Sequence, residues 1–127
     1  MARILVIDDY AGILDVLELM LTAAGHQVMT AGTGIEGLEL AAQSPPDLVL
    51  LDVDMPGMDG VSVCLELKRN MRTAGIPVLF MTGRFGPQSA ERARMAGAFG
   101  IMPKPFVREQ LMEEIGRAVG GCPHGLL

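Results

Sequence analysis

Four short apolar runs, each cut off by a polar or turn residue, do most to limit what this chain can become. Ile4 to Ile7 stops at Asp8-Asp9, Leu48 to Leu51 at Asp52, Pro77 to Met81 at Thr82-Gly83, and Ala98 to Met102 at Pro103-Lys104-Pro105. Such runs suit strands buried on both faces, as in a parallel sheet. Gln27 to Ala31 reads as a fifth, more polar strand. Between the strands the period changes. Ile13, Leu14, Leu17, Met20 and Leu21 recur at helical spacing, and Gly25 ends that helix. A second helix follows Thr33-Gly34, carries Ile35, Leu38 and Ala42, and is stopped by Ser44-Pro45-Pro46. A third is expected from about Asp59 to Arg72, with Val61, Cys64 and Leu65 on one face. Pro87 suits the first turn of a fourth, whose apolar side is only Ala90, Ala93 and Ala96, with Gly97 as its cap. The fifth is expected from about Phe106 to Val119, with Val107, Leu111, Ile115 and Ala118 inward. Regular alternation of strand and helix calls for a parallel sheet with helices on both faces and right-handed crossovers.

The 127 residues make one domain by the usual size prior, and no internal linker or repeat divides it. The formal net charge of −5 argues against non-specific nucleic-acid binding, which needs a basic face. No apolar run approaches the ~20 residues of a membrane span. The first residues meet charge too soon for a signal peptide. Cys64 and Cys122 lack metal-ligand spacing and read as reduced thiols of a cytoplasmic protein. His26, in a turn, and His124, near the end, are not placed for chemistry. Residues 120–127 read as a flexible tail or the start of a linker.

In a parallel sheet the carboxyl ends of the strands share one edge, which is where ligands bind in open α/β folds. Asp8, Asp9, Asp52, Thr82 and Lys104 all follow strands here, so three acids, a hydroxyl and an ammonium converge. Two carboxylates ~5 Å apart repel by ~3 kcal/mol at an effective dielectric of ~20. Three such pairs would cost ~10 kcal/mol, comparable with the whole stability of a domain. The acids need counter-charge. Lys104 provides one positive charge, and a hard, oxygen-preferring divalent cation such as Mg²⁺ would provide more.

That placement resembles the receiver domain of two-component response regulators, of the chemotaxis-regulator type. The likeness runs from Arg3 to about Val119, so residues 1–119 are expected to be the receiver domain. It rests on Asp8-Asp9, on Asp52 followed by Met55-Pro56-Gly57-Met58-Asp59-Gly60, on Met81-Thr82-Gly83 and on Lys104-Pro105-Phe106. The resemblance implies a flavodoxin-like, doubly wound five-stranded sheet in order 2-1-3-4-5. It implies a signalling switch, not an enzyme with a separate substrate. Asp52 would accept a phosphoryl group from a sensor histidine kinase or phosphotransfer protein. Asp9, Asp52 and the Asp54 backbone carbonyl would hold Mg²⁺, with Asp8 bound through water. Thr82 and Lys104 would bind the phosphoryl oxygens, and the Lys104-Pro105 peptide would be cis. The output would be a downstream partner or linked effector domain on the face of the fourth helix, fifth strand and fifth helix, with the protein a monomer or a phosphorylation-linked dimer.

Some residues depart from the family pattern. Ile101 stands where an aromatic switch residue is common, and Tyr10 where a polar residue is common. Alternation along the fifth strand would put Phe99 and Ile101 on one face. Asp54 and Arg84 sit where the family varies its dephosphorylation rate, and they could pair across the pocket mouth. Two other readings share these residues. Asp52-Val53-Asp54 after a strand also looks like the nucleophile motif of haloacid-dehalogenase phosphatases, although those place it on the first strand. A pseudo-receiver would keep the fold as a binding module and never be phosphorylated.

Overall fold

Ile4 to Ile7 has a hydrogen-bonded strand on each side and helices over both faces, so a polar side chain would have no place in it. The structure, a computed structural model, describes residues 1–84 and 86–120. The expectations for Cys122, His124 and the tail beyond Gly120 lie outside the described residues. In it β1 (Arg3–Ile7) pairs in parallel with β2 (Gln27–Ala31) and β3 (Leu48–Asp52). β3 pairs with β4 (Val78–Thr82), and β4 with β5 (Gly100–Pro103), giving the order β2-β1-β3-β4-β5. This is the doubly wound, flavodoxin-like arrangement. The outer strands β2 and β5 are only partly buried, which accounts for the polar residues of β2.

Side chains alternate across the sheet and build two cores. Ile4, Val6, Leu48, Leu50, Leu79 and Met81 face one side, where α1 (Ala11–Ala23) supplies Leu17 and Leu21 and α5 (Arg108–Val119) supplies Leu111, Ile115 and Ala118. Leu5, Ile7, Val49, Leu51, Val78 and Phe80 face the other. There they meet α2 (Gly34–Gln43), α3 (Gly60–Arg69) and α4 (Pro87–Met95).

The inward faces of two helices differ from expectation. On α2, Gly34, Gly37 and Ala41 are buried while Ile35 is 64% exposed. The helix lies so close to β1 that a Cβ on Gly37 would come within 2.4 Å of Ile7 Cδ1. On α3 the buried residues are Gly60, Val63, Cys64 and Leu67, and Leu65 is exposed. That helix also ends at Arg69, short of the expected Arg72. Asn70 takes an extended conformation and its side chain accepts the Arg72 N–H at 2.9 Å, while Thr73 Oγ1 donates to Leu67 O at 2.7 Å. These bonds turn the chain back.

α4 is held thinly: Ala93 and Ala96 are buried, but Ala90 is exposed. Gly97 has φ +82 as expected of a cap, and Ala98 N–H closes the helix end on Ala93 O at 3.0 Å. Ala98 is thereby taken from the strand, so β5 starts at Gly100. Phe99 consequently does not share a face with Ile101. Phe99 packs with the α1/α5 core, and Ile101 with the α2/α3/α4 core. Val107 is also not inward. It is 60% exposed at the N-cap of α5, which begins at Arg108 rather than Phe106.

Gly60 positions the start of α3 against the end of β3. A Cβ there would lie 2.6 Å from Asp52 O and 2.5 Å from Val53 Cα, both backbone atoms that cannot rotate away. Gly60→Ala is therefore expected to lower stability by about 3 kcal/mol, the upper range for overpacking. Gly75→Ala, with nothing within 4 Å of the added Cβ, is expected to change it by less than about 0.5 kcal/mol. Urea denaturation of both variants checks this, and equal midpoints would contradict it.

Candidate functional site

Parallel register brings the polar strand ends together because β1, β3, β4 and β5 all finish at one edge. Asp8 follows β1 and is fully buried. Its Oδ1 accepts the Tyr10 N–H at 3.0 Å, and its Oδ2 accepts from Lys104 Nζ at 2.9 Å. Asp52 is the last residue of β3, also buried, and its Oδ1 accepts the Asp54 N–H at 3.0 Å. Lys104 Nζ lies 3.5 Å from Asp52 Oδ2, so one ammonium serves two buried carboxylates. Asp9 is exposed, yet Asp8, Asp9 and Asp52 each offer an oxygen within 4.8 Å of the others.

The electrostatics follow from that crowding. Burial pushes the Asp52 carboxyl up from 3.8 to about 6; the Asp54 N–H and Lys104 oppose this, and the charges of Asp8 and Asp54 reinforce it. Burial also works against the Lys104 ammonium. The hydrogen bond and charge of Asp8, with Asp52 behind it, outweigh that and hold Lys104 above its ordinary range. A fully ionised site thus lacks positive charge. Three carboxylate oxygens, one of them reachable from solvent, fit a hard divalent cation.

Thr82 ends β4 and is buried. Its Oγ1 donates to Asp54 Oδ2 at 3.2 Å and accepts the Arg84 N–H at 3.0 Å. The Gly83 N–H also donates to Asp54 Oδ2, at 3.3 Å. The ion pair that Asp54 and Arg84 could have made is not formed, because the Asp54 carboxylate turns inward to Thr82 and Gly83. Sequence reasoning missed this role of Asp54, and nothing in the local pattern signals it. The Lys104-Pro105 peptide is cis, and the Lys104 N–H donates to Thr82 O at 2.7 Å.

The sequence model of the response regulator receiver domain matches residues 4–116. The chain belongs to that family. This receiver is 41% identical over 115 residues to the DNA-binding dual master transcriptional regulator RpaA of Synechocystis, matching 91% of this chain and 48% of that protein. It is 36% identical over 121 residues to Protein PilH of Pseudomonas aeruginosa, matching 95% of this chain and 100% of PilH. The chain thus spans about half the length of one relative and all of another. Among solved structures, the Vibrio cholerae chemotaxis protein CheY4 superposes with a TM-score of 0.89 at 30% identity, over 93% of this chain and 98% of that one. Membership implies phosphorylation-dependent signalling in a two-component system, and receivers typically bind Mg²⁺. Among the described residues no helix is long and apolar enough to cross a membrane.

The raised Asp52 carboxyl carries a stability consequence. A carboxyl raised on folding contributes stability that is present below its unfolded value, 3.8, and lost as pH rises through about 6. Without divalent cations, Asp52→Asn is expected to be more stable than wild type at pH 7 by about 1–2 kcal/mol, after allowance for solvent screening. The difference should shrink toward pH 4. Denaturation of both proteins in chelator across that range measures it, and a pH-independent difference would contradict the account.

Proposed function

We propose that this receiver accepts a phosphoryl group on Asp52 from the phosphohistidine of a sensor histidine kinase or phosphotransfer protein. The observation that supports it is the meeting of Asp8, Asp9 and Asp52 within 4.8 Å, with Lys104 Nζ 3.5 Å from Asp52. An Asp52 oxygen forms the new P–O bond as the P–N bond breaks, and the histidine imidazole leaves with the electron pair. Such a transfer asks the protein chiefly for alignment and neutralisation of charge. Asp9, Asp52 and the Asp54 carbonyl would hold Mg²⁺, with Asp8 bound through water, and the ion would supply charge neutralisation there. Lys104 neutralises further charge on the transferred oxygens, and Thr82 donates a hydrogen bond that exists only after transfer.

That new bond draws in the loop after β4 and biases the face built by α4, β5 and α5. By this reading the face meets a downstream protein or linked effector domain, with no direct nucleic-acid contact by this chain. The setting is the cytoplasm, and the state a monomer or a phosphorylation-linked dimer. Ile101 registers with Phe80 and is stiff at its first torsion, so it offers little of the swing of a ring at that position.

Incubation with acetyl phosphate and Mg²⁺ should give one acid-stable, base-labile adduct in wild type and none in Asp52→Asn. Labelling of the Asn variant to the same extent would sink the assignment. No adduct in wild type would favour the pseudo-receiver reading, and sustained turnover of phosphomonoesters the phosphatase one.

Beryllofluoride, which mimics the phosphoryl group, should raise hydrogen-exchange protection across residues 83–97 and change it little at 99–102. A larger change in β5 than in α4 would show the switch to run through the strand instead.

A further inference from the structure

Asp54 touches both ends of the switch. Its N–H donates to Asp52 Oδ1 at 3.0 Å, while its carboxylate Oδ2 accepts from Thr82 Oγ1 at 3.2 Å and from the Gly83 N–H at 3.3 Å. The Thr82 hydroxyl is satisfied on both sides, since it also accepts the Arg84 N–H. A hydroxyl has one proton to donate. A phosphoryl group on Asp52 and the Asp54 carboxylate would therefore compete for the same Thr82 proton, and hydrogen bonds to an ionised acceptor are the stronger kind.

We propose that Asp54 is a positioning residue whose side chain latches Thr82 and Gly83 in the resting conformation, so that it sets how readily modification of Asp52 rearranges the loop. The proposal rests on Asp52 as the phosphoacceptor and deepens that reading. The latch opposes activation by holding the donor that the modified Asp52 needs. It is distinct from simple repulsion between the Asp54 charge and an incoming anion, which would act whether or not position 82 carried a hydroxyl. Asp54 is exposed, so truncating it removes no core contact, and the substitution leaves its backbone carbonyl and N–H in place.

Two measurements on the full chain separate these ideas. In the resting protein, without beryllofluoride, exchange of the Gly83 amide should quicken at least ~5-fold in Asp54→Ala, since that N–H loses a charged acceptor. With Mg²⁺ present, beryllofluoride should bind Asp54→Ala ~10-fold more tightly than wild type, as expected for removal of one charge-assisted hydrogen bond. In a Thr82→Val background the same Asp54→Ala change should improve binding by no more than ~2-fold, the non-additivity of residues that act through each other. An equal gain in both backgrounds assigns the effect to charge alone and overturns the latch. Unchanged Gly83 exchange overturns it as well. If wild type binds no beryllofluoride while Gly83 exchange responds as expected, the phosphoacceptor reading fails and takes the proposed role of the latch with it.

Discussion

Lys104 Nζ, 2.9 Å from Asp8 Oδ2 and 3.5 Å from Asp52 Oδ2, is the contact that lets two buried carboxylates share one edge of the sheet. Removing one partner of a buried charge network leaves the others uncompensated, which is costly in a low-dielectric setting. Several features of the fold serve to deliver that ammonium. The lysine follows β5, the strand farthest from β1 on its side of the sheet, so the β1-β3-β4-β5 register must hold for the contact to exist. The bond from Lys104 N–H to Thr82 O at 2.7 Å ties the lysine's own backbone to the end of β4. Charge compensation across the acid edge therefore depends on hydrogen bonding across the whole half-sheet.

The acid edge is still under-compensated, and that imbalance leaves room for a further cation. Asp52 is held with its carboxyl raised to about 6 by burial, next to other acids and within reach of solvent through the exposed Asp9. An apolar sheet fixes its position from behind, and Gly60 lets α3 start directly against its carbonyl. The same rigidity that strains the resting electrostatics would supply the alignment that the proposed transfer requires.

Much of this was readable from the residues, and the failures have physical causes. β2 spans Gln27–Ala31 in both sequence pattern and structure, and strand ends at Asp52 and Thr82 stand where apolar runs meet polar residues. Those signals are local. The helix faces were less legible because contact distance, not hydrophobicity, chose them: Gly34 and Gly37 turn inward where larger side chains would collide. The end of α3 was lost to side-chain bonds of Asn70 and Thr73, which compete with helical ones. Phe99 left its expected face because Ala98 closes α4 and delays the strand. The partners of the Asp54 side chain were illegible for a different reason. Its options, Arg84 or Thr82 and Gly83, are separated by a turn geometry that no spacing rule specifies.

The thin seat of α4 has a thermal consequence. The helix itself buries only Ala93, and its cap only Ala96, so little apolar surface changes environment if the helix shifts on the sheet. Heat-capacity change scales with apolar area exposed. The stability of the whole domain must curve with temperature, because both cores bury many apolar side chains, whereas the position of α4 is tied to almost none of that area. A shift of α4 seated on two methyl groups would keep nearly the same enthalpy at every temperature, so its van't Hoff plot would run straight where that of global unfolding curves.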